Sequence, residues 1–408
     1  MPKRWIHRLS IATLALGLVA TSPALAQNGK IKKAEKMLVK YDGSDTVALA
    51  KALDAINKAK VHSKTRDLAH TWVVLGDVHT AYMMDDAAES PEPNPGRAAV
   101  DAYMAAVGKE GADAYAERIL EAIAAIETDA MAAATEAYES KAYAEAWPAL
   151  QTVMAAQKVS RQVGRTDVAR EAGTLQVAIL TAVKRNDLDA ARALHDELLA
   201  LDGVPSATSL ALATAMADVD GSEAALAFLE PLSDADPDDA VLMQARIEHL
   251  FTLDRKDDVV ALLEANKASV GKALAITLLH ARAWDRAEDL GRSAEAYLNA
   301  QALGPEDLTV LRGYADVEMR RASAFDVSAK ATRNWRERRD MRAARDNARN
   351  NAMELLREAR VLDPDHLATL QLLREVYDDV RLRDREEIAA LEEAIAKIEE
   401  KAEEEGGK

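Results

Sequence analysis

From Ala172 to Gly271 the sequence returns to the same chemistry with a period of about 34 residues, and no other feature restricts the fold so tightly. Small residues recur at Ala191, Ala225 and, slightly enlarged, Val259. Larger apolar residues recur at Leu194, Phe228 and Leu262, and turn-prone or charged ones at Asp187, Gly221 and Arg255. Pro237 and Pro305 stand two periods apart. A fixed period of this length implies stacked supersecondary units, each supporting the next, rather than one closed core. Aromatic residues make up only 4% of the chain, and no stretch alternates apolar and polar residues for long, so the repeating unit is helical and no sheet is expected.

Residues 1–26 read as a cleaved export signal. Lys3, Arg4 and Arg8 give a basic start, Leu9 to Ala20 is apolar, and Ala24-Leu25-Ala26 supplies small residues at the cleavage site. The apolar run is too short for a membrane anchor. With no cysteine, the chain can carry neither a disulfide nor a lipid attached to a thiol, and the expected location is the periplasm, as a non-lipoprotein. The formal charge is −17, and loss of the three basic residues of the signal takes it to −20. Such a charge disfavours nucleic acid and anionic lipid as general partners and favours basic ones.

Residues 27–64 form N-terminal helices. Lys30 to Val39 ends at Tyr41-Asp42-Gly43; Val47 to Lys60 is capped by Asp45 or Thr46 and carries Leu49, Leu53 and Ile56 on one face. In the next helix Trp72 and Leu75 bury one face, and Gly76 lets a partner helix approach closely. Pro91, Pro93 and Pro95 make 85–96 an exposed loop, either a tolerated insertion or a binding loop. Arg97 to Val107 follows, with Tyr103 and Ala106 facing inward. Ala112 to Tyr138 reads as one long helix, paired with Tyr143 to Val159, where Pro148 is tolerated near the start. Regular units begin near Ala172, Ser206 and Ala240. Lys272 to Asp289 pairs with Arg292 to Leu303, and Gly304-Pro305 and Asp363-Pro364 open the last two units. Those two prolines stand well over one period apart, so a hairpin around 320–350 is lengthened.

Trp72, Leu75, Gly76 and His79 fall on a pattern that resembles the tetratricopeptide signature, with His79 where tyrosine is usual. Leu370, Leu373 and Tyr377 fall at its Trp, Leu and Tyr positions. The resemblance covers 65–383 and implies an all-α, right-handed superhelical solenoid of antiparallel helix pairs. The first helix of each pair would then line a concave groove that holds a partner. Carried over position by position, it nominates Val73, Asp77 and Thr80; Gln244, Glu248 and Phe251; Arg312, Asp316 and Arg320; and Gln371, Glu375 and Asp379. The middle units offer the less polar Leu180, Leu210 and Thr214. A groove that is apolar in the middle and mainly acidic towards its ends, with Arg312 and Arg320 as exceptions, suits an extended or helical protein segment with basic flanks.

The function implied is a non-catalytic interaction scaffold of the bacterial cell envelope. There is no HExxH, no phosphate-cradling glycine loop and no G-x-S-x-G elbow, and the histidines form no recognisable metal set. No catalytic residue, metal or cofactor is therefore expected. Two alternatives stand beside this reading. From Arg320 to Arg349 there are ten basic and four acidic residues. Arg333, Arg336, Arg338, Arg339, Arg342 and Arg345, with Trp335 among them, could form a patch for an anionic ligand or lipid, or could simply pair with the chain's own carboxylates. Residues 384–408 carry ten acidic and four basic residues, and Ile388, Leu391, Ile395 and Ile398 make one narrow apolar stripe. That stripe suits a capping helix over the last unit, or a coiled coil between subunits of a structural oligomer.

Overall fold

The computed structural model describes residues 29–41, 43, 45–85, 88–380 and 385–406; the export signal expected over 1–26 lies outside the described residues. Eighteen α-helices account for nearly all of them. They are α1 (Gly29–Lys40), α2 (Thr46–Val61), α3 (Ala69–Met84), α4 (Pro95–Val107), α5 (Ala116–Glu139), α6 (Tyr143–Gln162), α7 (Val168–Lys184), α8 (Leu188–Asp202) and α9 (Ser206–Asp220). After them come α10 (Ser222–Ala235), α11 (Ala240–Thr252), α12 (Lys256–Ala265), α13 (Leu274–Arg286), α14 (Leu290–Leu303), α15 (Leu308–Ala331), α16 (Trp335–Leu362), α17 (Leu367–Val380) and α18 (Arg385–Gly406). Among the described residues there is no strand, only an isolated bridge between Leu68 and Glu110. The fold is all-α, built from antiparallel helix pairs. It separates into two compact units, one ending at Ala215 and the other beginning at Met216.

In the first unit α1 packs on α2, α3 on α4, α5 on α6 and α7 on α8, with α2 on α3 and α6 on α7 joining successive pairs. In the second, α13 packs on α14 and α15 on α16, and α14 on α15 and α16 on α17 carry the stack onward. The first helices also touch one another, α11 with α13, α13 with α15 and α15 with α17.

The period is visible in the helix ends. First helices start at Ser206, Ala240, Leu274 and Leu308, and second helices at Leu188, Ser222, Lys256 and Leu290, each one period after the last. The turn inside each pair uses one left-handed residue: Asn186, Asp254 and Glu288 have φ of 60°, 57° and 71°, and Gly221 has 89°. Asp187 and Asp289 then cap the outgoing helix, accepting from the amides of Ala190 and Arg292. Asp45 caps α2 in the same way, and Asn94 caps α4, so the proline-rich loop ends at the helix start, Pro95.

Packing follows the same register. Ala191, Ala225, Val259 and Ser293 are fully buried where helices cross closest. Of the larger residues beside them, Leu262 is buried as expected. Leu194 and Phe228 are only half-buried, and the buried column lies one residue on, at His195, Leu229, Leu263 and Tyr297. Four residues, rather than three, return this side chain to the stripe that faces the neighbouring helix. Gly76 behaves as its spacing implies: a Cβ there would stand 2.5 Å from Tyr103 Cε1. Gly313 makes an equivalent contact with the ring of Tyr297. The helix expected from Ala112 begins instead as a 3-10 turn, Ala112–Tyr115, before α5.

The lengthened hairpin is α15–α16, of 24 and 28 residues against 13 and 14 in the preceding pair. α18 closes the second unit. Leu391 is fully buried, and Ile388, Ile395 and Ile398 pack against the same core. Glu387 accepts from Arg357 and Tyr377, and Glu392 from Arg374.

Candidate functional site

α11, α13, α15 and α17 present one face each to a common side of the second unit. Gln244, Glu248, Asp316, Arg320 and Glu375 are exposed there, and Phe251 and Arg312 half-exposed. Because α13 touches both α11 and α15, charges on the three helices meet. Glu248 pairs with Arg286 at 2.5 Å, and Asp285 with Arg320 at 2.5 Å. The Arg286 guanidinium lies 4.1 Å from the centre of the Phe251 ring. Arg312 Nη1 donates to His366 Nε2 at 3.2 Å. Burial pushes the Asp285 carboxyl up; Arg320 opposes the effect and nearby Asp316 adds to it.

Arg282, Asp285 and Arg286 were not among the nominated positions. Arg282 lies one period from both Glu248 and Asp316, so the repeat alone could have found it. The resulting row of Glu248, Arg282, Asp316 and Glu375 alternates in sign before ending on two carboxylates. Asp316 and Glu375 have no basic partner among the described residues. The face is therefore partly self-neutralised. Exposed pairs of this kind contribute only about 0–1 kcal/mol each, so a partner's charges can exchange into them at little cost.

Other nominated residues lie elsewhere. Val73 is fully buried, Thr80 is 3% exposed, and neither offers a surface to a partner. Thr80 Oγ1 donates to the Gly76 carbonyl, and it sits 3.2 Å from the Tyr103 hydroxyl. The reason is that α3 is covered by α1 and α2 on one side and by α4 and α5 on the other. Its sequence, apolar on every face, belongs to an enclosed helix and not to one that lines a groove. Asp77 turns inward with it. The Tyr103 hydroxyl donates to Asp77 at 2.8 Å, Arg118 pairs with the same carboxylate, and Arg118 also approaches Glu35, which His70 contacts at 2.8 Å. Burial pushes the Asp77 carboxyl up in spite of Arg118. Burial pulls Glu35 the same way, yet the hydrogen bond and charge of His70, with Arg118, hold it below its usual range. This network ties α1, α3, α4 and α5 together.

At the far end Gln371 remains exposed but donates to Glu399 of α18 at 3.2 Å, so the cap engages it. The Asp379 side chain lies outside the described residues. In the first unit Leu180 and Leu210 are half-buried and Thr214 is exposed.

Of the six nominated arginines on the lengthened hairpin, two serve the hairpin itself. Arg345 pairs with Asp326 at 2.9 Å and Asp346 at 2.8 Å, and Arg338 donates to the Thr332 carbonyl at 2.8 Å. Arg333, Arg336, Arg339 and Arg342 are exposed, Arg339 with a weak pair to the adjacent Asp340.

Paired helices at a constant period, small residues at the crossings and an exposed row along the first helices define a tetratricopeptide-like helical-repeat protein. Among solved structures, the chain is similar to a tetratricopeptide protein from Bacteroides fragilis, at 14% identity over 62% of this chain and 98% of that one, with a TM-score of 0.34. It is also similar to yeast Tom70, at 12% identity over 91% and 79%, with a TM-score of 0.35. A human IFIT1 dimer with m7Gppp-AAAA matches at 13% identity over 81% and 76%, with a TM-score of 0.34. No family model matches the sequence, and none of the curated proteins matches it.

Proposed function

We propose that this protein is a non-catalytic interaction scaffold that holds a segment of a partner protein against the first-helix face of α11, α13, α15 and α17. The observation that carries the reading is the exposed cross-helix row, in which Phe251 is flanked by Arg286 and the charges of Glu248, Asp285 and Arg320 are paired only at the surface. A segment with an apolar or aromatic residue for the Phe251–Arg286 stack and a basic residue for Asp316 or Glu375 fits it. The working compartment we propose is the cell envelope, reached by cleavage after Ala26; amino-terminal sequencing of the exported protein is expected to begin at Gln27, and a chain retained with Met1 would count against it.

A photo-crosslinking residue at Gln244 tests the site. A discrete adduct is expected from Gln244 and none from Leu298, which is 55% exposed on a second helix. D316K/E375K should remove the adduct while leaving the helical signal unchanged. Equal adducts from both positions would sink the groove reading.

A further inference from the structure

We propose that the tip of the α15–α16 hairpin is a separate docking site, for a bilayer surface rich in anionic phospholipid. Three observations converge on it. First, the hairpin exceeds its neighbours by about 10 residues or more per helix, an overhang of about 15 Å at the helical rise. Second, its end carries large apolar groups in the open, Trp335 and Val327, each 64% exposed. Third, Arg336 and Arg339 stack beside the indole, 5.5 and 5.7 Å from its centre, and Arg333, Arg336 and Arg342 have no carboxylate partner among the described residues.

The chemistry of that set selects the ligand. An exposed tryptophan with guanidiniums around it is suited to the boundary between headgroup and acyl chain, where the ring is half-immersed and the cations meet phosphate. The end of a two-helix hairpin is convex, which suits a soft, extended surface better than a shaped protein pocket. The chain as a whole carries −17, and that charge repels such a surface. The overhang separates tip from body by roughly two Debye lengths at physiological salt, about 8 Å each, so the local positive charge acts almost alone there. This inference is independent of the groove.

Vesicle sedimentation of the exported chain tests it, with phosphatidylcholine alone or mixed with an equal share of phosphatidylglycerol. Binding is expected only to the anionic vesicles, and it should weaken steeply as salt rises. R333E/R336E/R342E should bind about tenfold more weakly or less still, and Trp335→Ala should bind several-fold more weakly. Parent and variants are compared in the same exported form, beginning at Gln27, so the basic, apolar N-terminal stretch contributes to none of them. D316K/E375K, altered in the groove, should bind vesicles like the parent. Equal binding to neutral vesicles, or full binding by the charge-reversed variant, would overturn the proposal. So would capture of polyglutamate by the same arginines in the absence of vesicle binding, which would assign the tip to an acidic protein.

Discussion

One position per repeat, in step with the period, is filled by Leu212, Arg246, His280 and Tyr314, all buried. The same slot is therefore met with four chemistries. Both terminal nitrogens of Arg246 find partners, in Ser233, Asp234 and Glu230. His280 does not: neither ring nitrogen has a hydrogen-bond partner among the described residues, and burial pushes its imidazole below the ordinary 6.5. Replacing it by the residue of the Ser206 repeat, His280→Leu, should stabilise the second unit by about 1–3 kcal/mol, the cost of a buried polar group left unpaired, read as a rise in Tm. The sign of the pH dependence follows from the same burial. The unfolded chain takes up a proton near 6.5 and the folded one only at lower pH, so stability is present above 6.5 and is lost as pH falls below it. His79 and His195, also pushed down by burial, act in the same direction, and the acid loss should be shallower in the His280→Leu protein. In the first unit, Asp77→Ala should cost about 3 kcal/mol by stranding the half-buried Arg118, measured as a lowered denaturation midpoint.

Elements in this chain are specified by contacts that come round once per period, so a substitution at a crossing is felt by two helices. Ala225 is fully buried in α10, and Ala225→Arg should cost about 3 kcal/mol or more through overpacking and a buried charge. An unchanged melting temperature would disprove the packing register. Gly76→Ala drives a methyl group into the Tyr103 ring and should cost about 1–3 kcal/mol, with the loss read as faster hydrogen exchange in α3 and α4. Helix ends and pairings of this kind were legible in advance, because turn residues and small crossings repeat. The enclosure of α3 was less so. Its signature pointed to a groove-lining helix, and only its enclosure between α1 and α2 on one side and α4 and α5 on the other turned Val73, Asp77 and Thr80 inward.

At the scale of the molecule, the last pair of the second unit needs cover on its outer side, and α18 supplies it. Leu391→Asp should therefore lower protection against hydrogen exchange in α16 and α17 while leaving α3 to α5 unchanged; uniform loss along the chain would contradict the local coupling expected of stacked repeats. The sequence by itself determined the all-α class, the periodic pairing of helices, the lengthened hairpin and the apolar stripe of the cap, because periodicity and turn chemistry are local properties. The tertiary structure alone decided which nominated side chains meet solvent, that Glu248 and Arg320 find partners on α13, and that Arg338 and Arg345 serve the hairpin. Those outcomes depend on which helix lies alongside, and side chains far apart in the chain become neighbours only when the stack is formed.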